Sequence, residues 1–387
     1  MRQRWMILTS STGSGHDVRS YALKDWAEKC LGDRVEVEVW HALEESSVVG
    51  RFGVWIYNTI QRHLPALHFI FWHITEVWGW VQDFGTPFGG GAVEKRFKAS
   101  RPHLVISMHD SLNAPYFARA RAALGADQVR CAIYCGEWSP GFGFSKHWID
   151  PSVDLFLCRT KAVAELAVER GISPAKCHVF RALLRPTDFE SRMAWDERKR
   201  YRSEVLNLDS ATFTLLLASG MKGADRHEKM LDSIADLGGK VQVIALCGKN
   251  ETTLTRTRAW AAGHPDFRIS IHGFLTEVGP LFQSSDIVLT RGGSNTLAEC
   301  VHFVVPALFH AERGPMPQEF CTSRFLHREG IGLRIRSARE LKQALAGLLE
   351  DPDSYDGMIK RMGAFAAAEH PETLVERLYA LGKEVVE

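Results

Sequence analysis

Short apolar runs alternate with helix-like patterns along the whole chain, and this alternation restricts the fold more than any other feature of the sequence. In the first half, nearly continuous apolar stretches of strand length occur at Trp5–Thr9, Leu104–Met108 and Leu155–Cys158. Apolar residues with helical spacing lie between them, for example at Ala114–Leu124. The same alternation begins again at Phe213–Leu217. Strands that alternate with helices predict an α/β fold in which helices cover both faces of parallel sheets.

The chain is long enough for two such domains, since it has 387 residues. A charged connector separates the two α/β halves near residues 184–212. We therefore predict a Rossmann-like domain over residues 1–185 and a second over residues 186–387, with the C-terminal helix able to cross back to the first. Ligands of parallel sheets bind at the carboxyl ends of strands, so we expect the two domains to face each other across a ligand-binding cleft.

Composition and charge exclude several classes of protein. The chain has 47 Lys and Arg against 46 Asp and Glu, which gives a formal net charge of +1 and no global field that would attract nucleic acid. Its eight cysteines are scattered without a CxxC pair, as is typical of reduced thiols in the cytoplasm. No apolar run approaches the roughly 20 residues of a membrane span. We expect a cytoplasmic protein.

The first glycine-rich loop follows the first strand. Gly13, Ser14 and Gly15 form a turn that lets a ligand approach the backbone and aims the amides of a helix N-terminus at it. His16 stands where that terminus disfavours a positive charge, so it is expected to be a neutral base near pH 7. The alternatives are a plain strand-to-helix turn and a histidine that caps its own helix. The third glycine of the dinucleotide-binding pattern is absent.

The second glycine-rich loop, Arg291–Asn295, follows the strand Ile287–Thr290 and precedes a helix. Its backbone amides are suited to a diphosphate, and Glu299, one turn further on, to ribose hydroxyls. Phe274, which follows another strand, is suited to hold the base of a nucleotide. The polar pair Gln318 and Glu319, at the start of a later helix, is suited to a hexose. Each piece alone is equally a cap or a turn. Together, groups suited to a base, a ribose, a diphosphate and a hexose predict a site for a nucleotide-sugar donor. The predicted donor-binding residues are Gly220, Phe274, Leu275, Arg291, Gly292, Gly293, Ser294, Asn295, Thr296, Glu299, Gln318 and Glu319.

An aromatic segment without acidic residues lies in the first half. Residues 46–75 contain no Asp or Glu, and five of the eleven tryptophans lie between residues 40 and 80. Aromatic side chains beside cationic ones are typical of surfaces in the headgroup region of a membrane. We therefore expect residues 46–81 to be a membrane-facing surface. The alternative is an aromatic helical pair packed into the core of the first domain.

With these motifs, the chain resembles glycosyltransferase family 28. The second half is similar, at Gly292–Glu299, to the nucleotide-sugar-binding domain of the peptidoglycan GlcNAc transferase group. The first half resembles the monogalactosyldiacylglycerol synthase and processive diacylglycerol glucosyltransferase branch at Thr12–His16, Pro102–His109 and Gly171–Lys176. This resemblance implies a GT-B architecture, a UDP-sugar as co-substrate and a lipid acceptor such as diacylglycerol. It also implies a position on the inner face of the cytoplasmic membrane.

We accordingly expect an inverting hexosyltransferase in which one base deprotonates the acceptor hydroxyl. His16 is the first choice, with Asp110 and Glu137 on neighbouring strand-end loops as alternates, and His109 lies with the first glycine loop on the acceptor side. No D-x-D motif stands in a suitable loop, so neither a metal nor another cofactor is expected.

Three other functions stay open. The chain could be a glycosyltransferase acting on a soluble secondary metabolite, a UDP-sugar epimerase, or a regulator that binds nucleotide sugars without turnover.

Overall fold

The computed structural model describes residues 2–63, 67, 69–70, 72–74, 76–77, 89–218, 227–311, 315–366 and 369–386. The chain forms two compact units. The first comprises Met1–Pro186, Met316–Cys321 and Ala368–Glu387, and the second comprises Thr187–Pro315 and Thr322–Ala367. Met316–Cys321, although they lie in the second half of the sequence, therefore belong to the first unit, and so does the last helix.

The first unit is built on a six-stranded parallel sheet with strand order β2-β1-β3-β4-β5-β6. The strands are β1 Gln3–Thr9, β2 Val35–His41, β3 Leu104–Ser107, β4 Arg130–Cys135, β5 Leu155–Cys158 and β6 Cys177–Val179. The helices are α1 Gly15–Leu31, α2 Ala42–Ser46, α3 Val48–His63, α4 Gly90–Ser100, α5 Ala114–Leu124 and α6 Lys161–Glu169.

The central strands of this sheet are buried over their whole length, as their apolar sequences require. Every residue of β3 and β5 is buried. Helix α5 has a proline in its first turn and is capped at its C-terminus by Gly125. The φ of Gly125 is 100°, a value that residue types other than glycine rarely adopt. Its buried Tyr116 and Phe117 join the core cluster between the sheet and the helices.

Strand order brings two loops of the first unit together. β1 lies between β2 and β3, and Leu8 of β1 is paired with Ser107 of β3. The chain continues from β1 to β2 on one side and from β3 to β4 on the other, so the strand order reverses here, which makes this a switch point where parallel sheets bind ligands. The loops after Thr9 and after Ser107 therefore meet at the same edge.

The second unit also contains a six-stranded parallel sheet, with order β12-β11-β10-β7-β8-β9. Helix α7 Pro186–Glu190 leads into it. Its strands are β7 Phe213–Ala218, β8 Val241–Leu246, β9 Ile269–His272, β10 Ile287–Thr290, β11 Ala307–His310 and β12 Gly332–Ile335. The further helices are α8 Trp195–Arg200, α9 His227–Ile234, α10 Glu251–Gly263, α11 Gly279–Gln283, α12 Ser294–Phe303, α13 Glu319–Glu329, α14 Ala338–Glu350, α15 Pro352–Ala366 and α16 Pro371–Val386, the last of which belongs to the first unit.

The corresponding switch point of the second sheet lies between β7 and β10, where Ala218 is paired with Thr290. A core cluster that includes Leu217, Val243 and Leu289 fills the space beside these strands. The loop that begins at Arg291 therefore starts at the edge where a nucleotide is expected.

The periodic patterns predicted the longer elements, and the structure adds others. β6 and β12 are short and only partly buried, so their sequences lack a continuous apolar run. The C-terminal segment forms two helices, α15 and α16, and each begins with a proline, which is well tolerated at the first helical position. Within the described ranges, each helix is too short or too polar to cross a bilayer.

Candidate functional site

Two carboxylates from neighbouring helices fix the loop after β1. Asp17 accepts hydrogen bonds from the hydroxyls of Thr9 and Ser11, both at 2.9 Å. Glu44 accepts one from the backbone N–H of Ser11 at 2.6 Å. Burial would raise the pKa of Asp17, but hydrogen bonds from His41, Ser11 and Thr9 hold it below its usual value. The loop is thus held by two carboxylate side chains.

The backbone conformation of this loop requires a glycine at one position. Gly13 has a φ of 81°, which favours glycine, and its N–H donates to Asn58 Oδ1 at 3.2 Å. The Asn58 amide nitrogen donates in turn to the Ser11 carbonyl at 3.0 Å. Ser14 precedes α1, which begins at Gly15. Helix α3 therefore holds the loop that places His16.

His16 is half-buried in the first turn of α1. Its Nδ1 lies 2.6 Å from the Met108 carbonyl oxygen and 2.9 Å from an Arg19 guanidinium nitrogen. Burial lowers the pKa of His16 well below its usual value, and the positive charges of His109 and Arg19 lower it further. The two contacts make opposite demands on Nδ1, because a carbonyl oxygen only accepts a hydrogen bond and a guanidinium only donates one. Nε2 has a free lone pair in the tautomer whose Nδ1–H donates to Met108.

His109 and Asp110 adjoin His16 from the loop after β3. The rings of His16 and His109 have centroids 4.3 Å apart, and Thr12 Oγ1 is 2.9 Å from His109 Nε2. Asp110 Oδ1 is 2.9 Å from His109 Nδ1. Burial would raise the pKa of Asp110, but His109 and a hydrogen bond from Ser145 lower it strongly. Asp110 is therefore an ionised group beside two imidazoles.

Glu137 follows β4, and its pKa is shifted in the opposite direction from that of Asp110. Burial raises the pKa of Glu137 to about 7, which the positive charge of Arg19 offsets only in part and the nearby Asp110 reinforces. Arg19 is buried directly under this loop, since a Cβ on Gly136 would stand 2.6 Å from its guanidinium. A carboxyl group that titrates near neutral pH in a pocket is well suited to proton transfer.

These polar residues line one part of a pocket of about 340 Å³ in the first unit. Helix α3 contributes one wall through Val49, Gly53 and Tyr57, which lie four residues apart and so share a face. The apolar lining is completed by Leu43, Phe52, Val54, Trp72, Ile74, Val93, Tyr116 and Trp148. The polar lining consists of Thr12, His16, Ser46, Ser47, His109, Asp110, Ser111, Glu137, Ser145 and Gln318, with Gly50 and Gly143 beside them.

The structure places Gln318 and Glu319 in the first unit. Gln318 Nε2 donates to the Tyr57 hydroxyl at 3.0 Å, and Glu319 Oε2 accepts from the Met316 N–H at 2.7 Å. The sequence pattern assigned both to the donor-binding domain by their position in the chain. Gln318 lines the pocket with His16, while Glu319 is buried at the start of α13.

In the second unit, the loop after β10 has the geometry expected of an anion site. Gly292 has a φ of 91°, and a Cβ there would stand 2.0 Å from the Phe309 ring. Gly293 occupies the N-cap position of α12 with no side-chain cap hydrogen bond. The first amides of a helix have no partner within it and bear a partial positive charge. A phosphate group placed here would meet these amides.

The other predicted donor residues lie around the same sheet edge or outside the described residues. Arg291, Ser294, Asn295 and Thr296 flank the N-terminus of α12, and all are half-buried. Glu299 lies one turn into the helix and is also half-buried. Gly220 lies outside the described residues.

Phe274 and Leu275 follow β9 and are 43% and 37% exposed. The Lys249 ammonium lies 4.4 Å from the centroid of the Phe274 ring, which is a cation–π distance. An exposed aromatic ring at the carboxyl end of a strand is available to a planar ligand.

The aromatic segment divides between core and surface. Trp40 is 3% exposed and packs edge-on against Phe97 and Tyr116, so it belongs to the core. Trp55 on α3 is 60% exposed. Trp78 and Trp80 lie outside the described residues. Exposed apolar side chains also occur at Val48, Val49, Phe52, Leu67, Phe69, Ile70, Ile74, Val77 and Phe142.

Residues that hold the loops around His16 and Glu137 were not found from the sequence. Arg19, Asp17, Glu44 and Asn58 are separated along the chain and resemble ordinary polar helix residues. The available signal is that Asn58 directly follows the apolar run Phe52–Tyr57 of α3. Among the residues that the structure describes, no group of three or more His, Cys, Asp or Glu side chains could hold a metal ion.

Part of the second unit matches the model of a known protein family. Residues 214–312 match the glycosyltransferase family 28 C-terminal domain. This range includes both the loop at Gly292 and Glu299.

Two curated relatives align with nearly the whole chain. A processive diacylglycerol β-glucosyltransferase from Bacillus subtilis (strain 168) is 26% identical over 97% of this chain and 94% of its own length. A probable chloroplastic monogalactosyldiacylglycerol synthase 3 from Oryza sativa subsp. japonica is 23% identical over 98% of this chain and 74% of its own length.

A solved structure shows the same fold. MurG of Acinetobacter baumannii superimposes with a TM-score of 0.63 at 15% identity, covering 98% of this chain and 99% of that one. The chain is thus a glycosyltransferase of the GT-B fold, with two Rossmann-like domains. It resembles the diacylglycerol glucosyltransferase and monogalactosyldiacylglycerol synthase branch of glycosyltransferase family 28, whose C-terminal domain it carries.

Proposed function

We propose that this enzyme transfers a hexose from a UDP-sugar to a hydroxyl group of a diacylglycerol-like lipid, with inversion at the anomeric carbon. The observation that carries the proposal is the pocket of the first unit, whose apolar walls adjoin His16, Asp110 and Glu137. An apolar pocket with a few convergent polar groups suits an amphiphilic acceptor with a reactive alcohol. The names of the two curated relatives support a lipid acceptor.

The second unit would bind the donor. The amides at the start of α12 would stabilise the negative charge that develops on UDP as the sugar leaves. Glu299 would accept hydrogen bonds from the ribose hydroxyls, and the backbone near Phe274 would hold the uracil. We propose that the UDP-sugar is a co-substrate and that the reaction uses neither a metal ion nor a cofactor.

His16 is the proposed base. Its Nε2 would take the proton of the acceptor hydroxyl as the oxygen attacks the anomeric carbon, while the Met108 carbonyl orients the ring through Nδ1. The imidazolium that forms would be stabilised by ionised Asp110, whose negative charge raises the pKa of His16. Glu137, with a pKa of about 7, is the alternate proton acceptor.

Membrane contact would bring the acceptor to the pocket. Helix α3 presents exposed Val48 and Trp55 beside residues that line the pocket, and residues 46–63 contain no acidic side chain. We propose that this face lies in the headgroup region on the inner side of the cytoplasmic membrane. A lipid alcohol could then enter without leaving the bilayer entirely.

The proposal is tested by incubating the enzyme with a panel of UDP-sugars, each combined with diacylglycerol, other lipid alcohols or soluble alcohols. Products are read by mass spectrometry, and the anomeric configuration by NMR. We expect a β-linked glycolipid from an α-linked donor. Transfer to soluble alcohols alone would contradict the lipid acceptor, and sugar conversion without any acceptor would favour an epimerase.

A further inference from the structure

Gly53 lies in the middle of α3, where a glycine destabilises a helix by about 0.5–1 kcal/mol relative to alanine. Apart from its two chain neighbours and the adjacent backbone of α3, no atom of the described residues lies within 4 Å of where a Cβ on Gly53 would stand. Close packing against described residues therefore does not require a glycine here.

Gly50, one turn earlier on the same helix, shows what a packing glycine looks like. A Cβ there would stand 2.1 Å from the Leu43 carbonyl oxygen, because the backbones of α2 and α3 approach closely. A side chain at position 50 would push the helices apart. The same helix thus contains one glycine required by packing and one with open space in front of it.

The open space in front of Gly53 belongs to the pocket, which Gly53 lines. Val49 and Tyr57 lie one turn to either side of it on the same face. Val49 is 44% exposed, whereas Tyr57 is within reach of the charges of Asp110 and Glu137. Gly53 therefore lies between the solvent-exposed side of the pocket and its polar cluster.

We propose that Gly53 determines which acceptors the pocket admits, by leaving room for one unbranched hydrocarbon chain between Val49 and Tyr57. Apolar side chains such as Phe52 and Ile74 line the same pocket. A volume of about 340 Å³ is at the lower end of ligand sites, which suits one chain and not a whole two-chain lipid. The second chain of a two-chain acceptor would stay outside. This inference rests on the proposed function in assigning the pocket to the acceptor.

The proposal predicts a dependence on chain length. Each methylene that enters the pocket should strengthen binding about fourfold, from about 0.8 kcal/mol per buried CH₂. The gain should cease once the pocket is full. A leucine side chain at position 53 would occupy the space of about three methylenes, so Gly53→Leu should weaken binding of a long chain about 10- to 100-fold.

The experiment measures calorimetric binding of 1-O-n-alkyl glycerols, from ethyl to decyl, to the full chain and to Gly53→Leu and Gly53→Ala. We expect the long-chain gain to be lost in Gly53→Leu, the alanine variant to lose about fourfold, and the ethyl compound to bind all proteins equally. Gly347→Leu is the matched control. Gly347 is also a helical glycine with open space in front of its Cβ, but it lies on α14, outside the pocket.

Binding needs no sugar transfer, so the two proposals can fail separately. If the wild type glycosylates no lipid but shows the chain-length gain that Gly53→Leu loses, the proposed function is wrong and the role of Gly53 stands. If lipid transfer occurs and both Gly53 variants keep the wild-type chain-length dependence, the role of Gly53 is overturned. If Gly53→Leu fails to fold, Gly53→Ala decides by the same criterion.

Discussion

At the scale of single residues, the site is governed by buried charges held close together. His16, His109 and Arg19 are potential cations within one cluster, and Asp110 is the carboxylate that compensates them. This arrangement favours neutral His16 because burial lowers its pKa and the neighbouring His109 and Arg19 lower it further. A neutral imidazole is the form that can accept a proton.

Replacing His16 with Ala should lower kcat by about 10²- to 10⁴-fold, the usual contribution of a general base. The affinity for UDP should not change, since His16 lies in the first unit and the proposed nucleotide site in the second. Steady-state kinetics and calorimetric titration with UDP check the two statements. Unaltered transfer would remove His16 from the mechanism and favour Glu137.

Replacing Glu137 with Gln should stabilise the fold at alkaline pH. The folded-state pKa is about 7 against an ordinary value of 4.5, so between these values the folded protein keeps a proton that the unfolded chain has lost. The free energy of unfolding then falls with rising pH, by about 1.4 kcal/mol per unit. We expect the variant to be about 2–3 kcal/mol more stable than the wild type at pH 8, and no more stable at pH 4.

Urea unfolding at several pH values measures this difference. Glu36→Gln is the control, because the Glu36 side chain is 60% exposed. An equal gain from Glu137→Gln at pH 4 and pH 8 would contradict the raised pKa.

At the scale of elements, both candidate sites consist of a glycine loop between a buried strand and a helix. The two loops use glycine for different reasons. Gly13 needs only its positive φ, since no described atom lies near its Cβ position. Gly292 needs both the positive φ and the absence of a side chain, because Phe309 lies against it.

Gly292→Ala should therefore weaken UDP binding at least tenfold and lower the melting temperature, because the loop must shift away from Phe309. Gly293→Ala should leave the melting temperature nearly unchanged, since its φ is negative and only Thr296 Oγ1 lies near, at 3.5 Å. Calorimetric titration and thermal unfolding test the pair. Normal UDP affinity in Gly292→Ala would contradict the phosphate-binding role of this loop.

Trp55→Glu should reduce binding to vesicles of mixed neutral and anionic phospholipid several-fold, because it places a charge on the exposed face of α3. Trp195→Glu is a matched control, since Trp195 is 59% exposed but lies on α8 of the second unit. Co-sedimentation with vesicles measures both. Equal loss in the two variants, or no loss in either, would contradict a membrane-facing α3.

At the scale of the whole molecule, acidic and basic residues nearly balance, so attraction to a membrane must be local to one face. The two units also divide the chemistry. Titratable groups suited to proton transfer occur in the pocket of the first, and the helix N-terminus suited to phosphate occurs in the second.

Activity should be insensitive to chelation. Helix-terminal amides in the second unit would stabilise the leaving diphosphate, so EDTA should not change the rate. Transfer assays with and without EDTA check this. A loss of activity with EDTA that Mn²⁺ restores would contradict it.

The sequence by itself determined the two parallel α/β units and the two glycine loops, because strand and helix periodicity and glycine turns are local properties. It also placed His16, Asp110 and Glu137 at strand ends, where parallel strands gather functional residues.

Only the tertiary structure decided which side chains share a charge environment. Arg19 lies beneath Glu137, Gln318 contacts Tyr57, and Gly53 faces open space, and each of these depends on helices placed by packing between distant segments. The same holds for Trp40 and Trp55, which both follow a valine but have opposite burial. Contacts of this kind arise from the global free-energy minimum of the chain, and a local pattern cannot encode them.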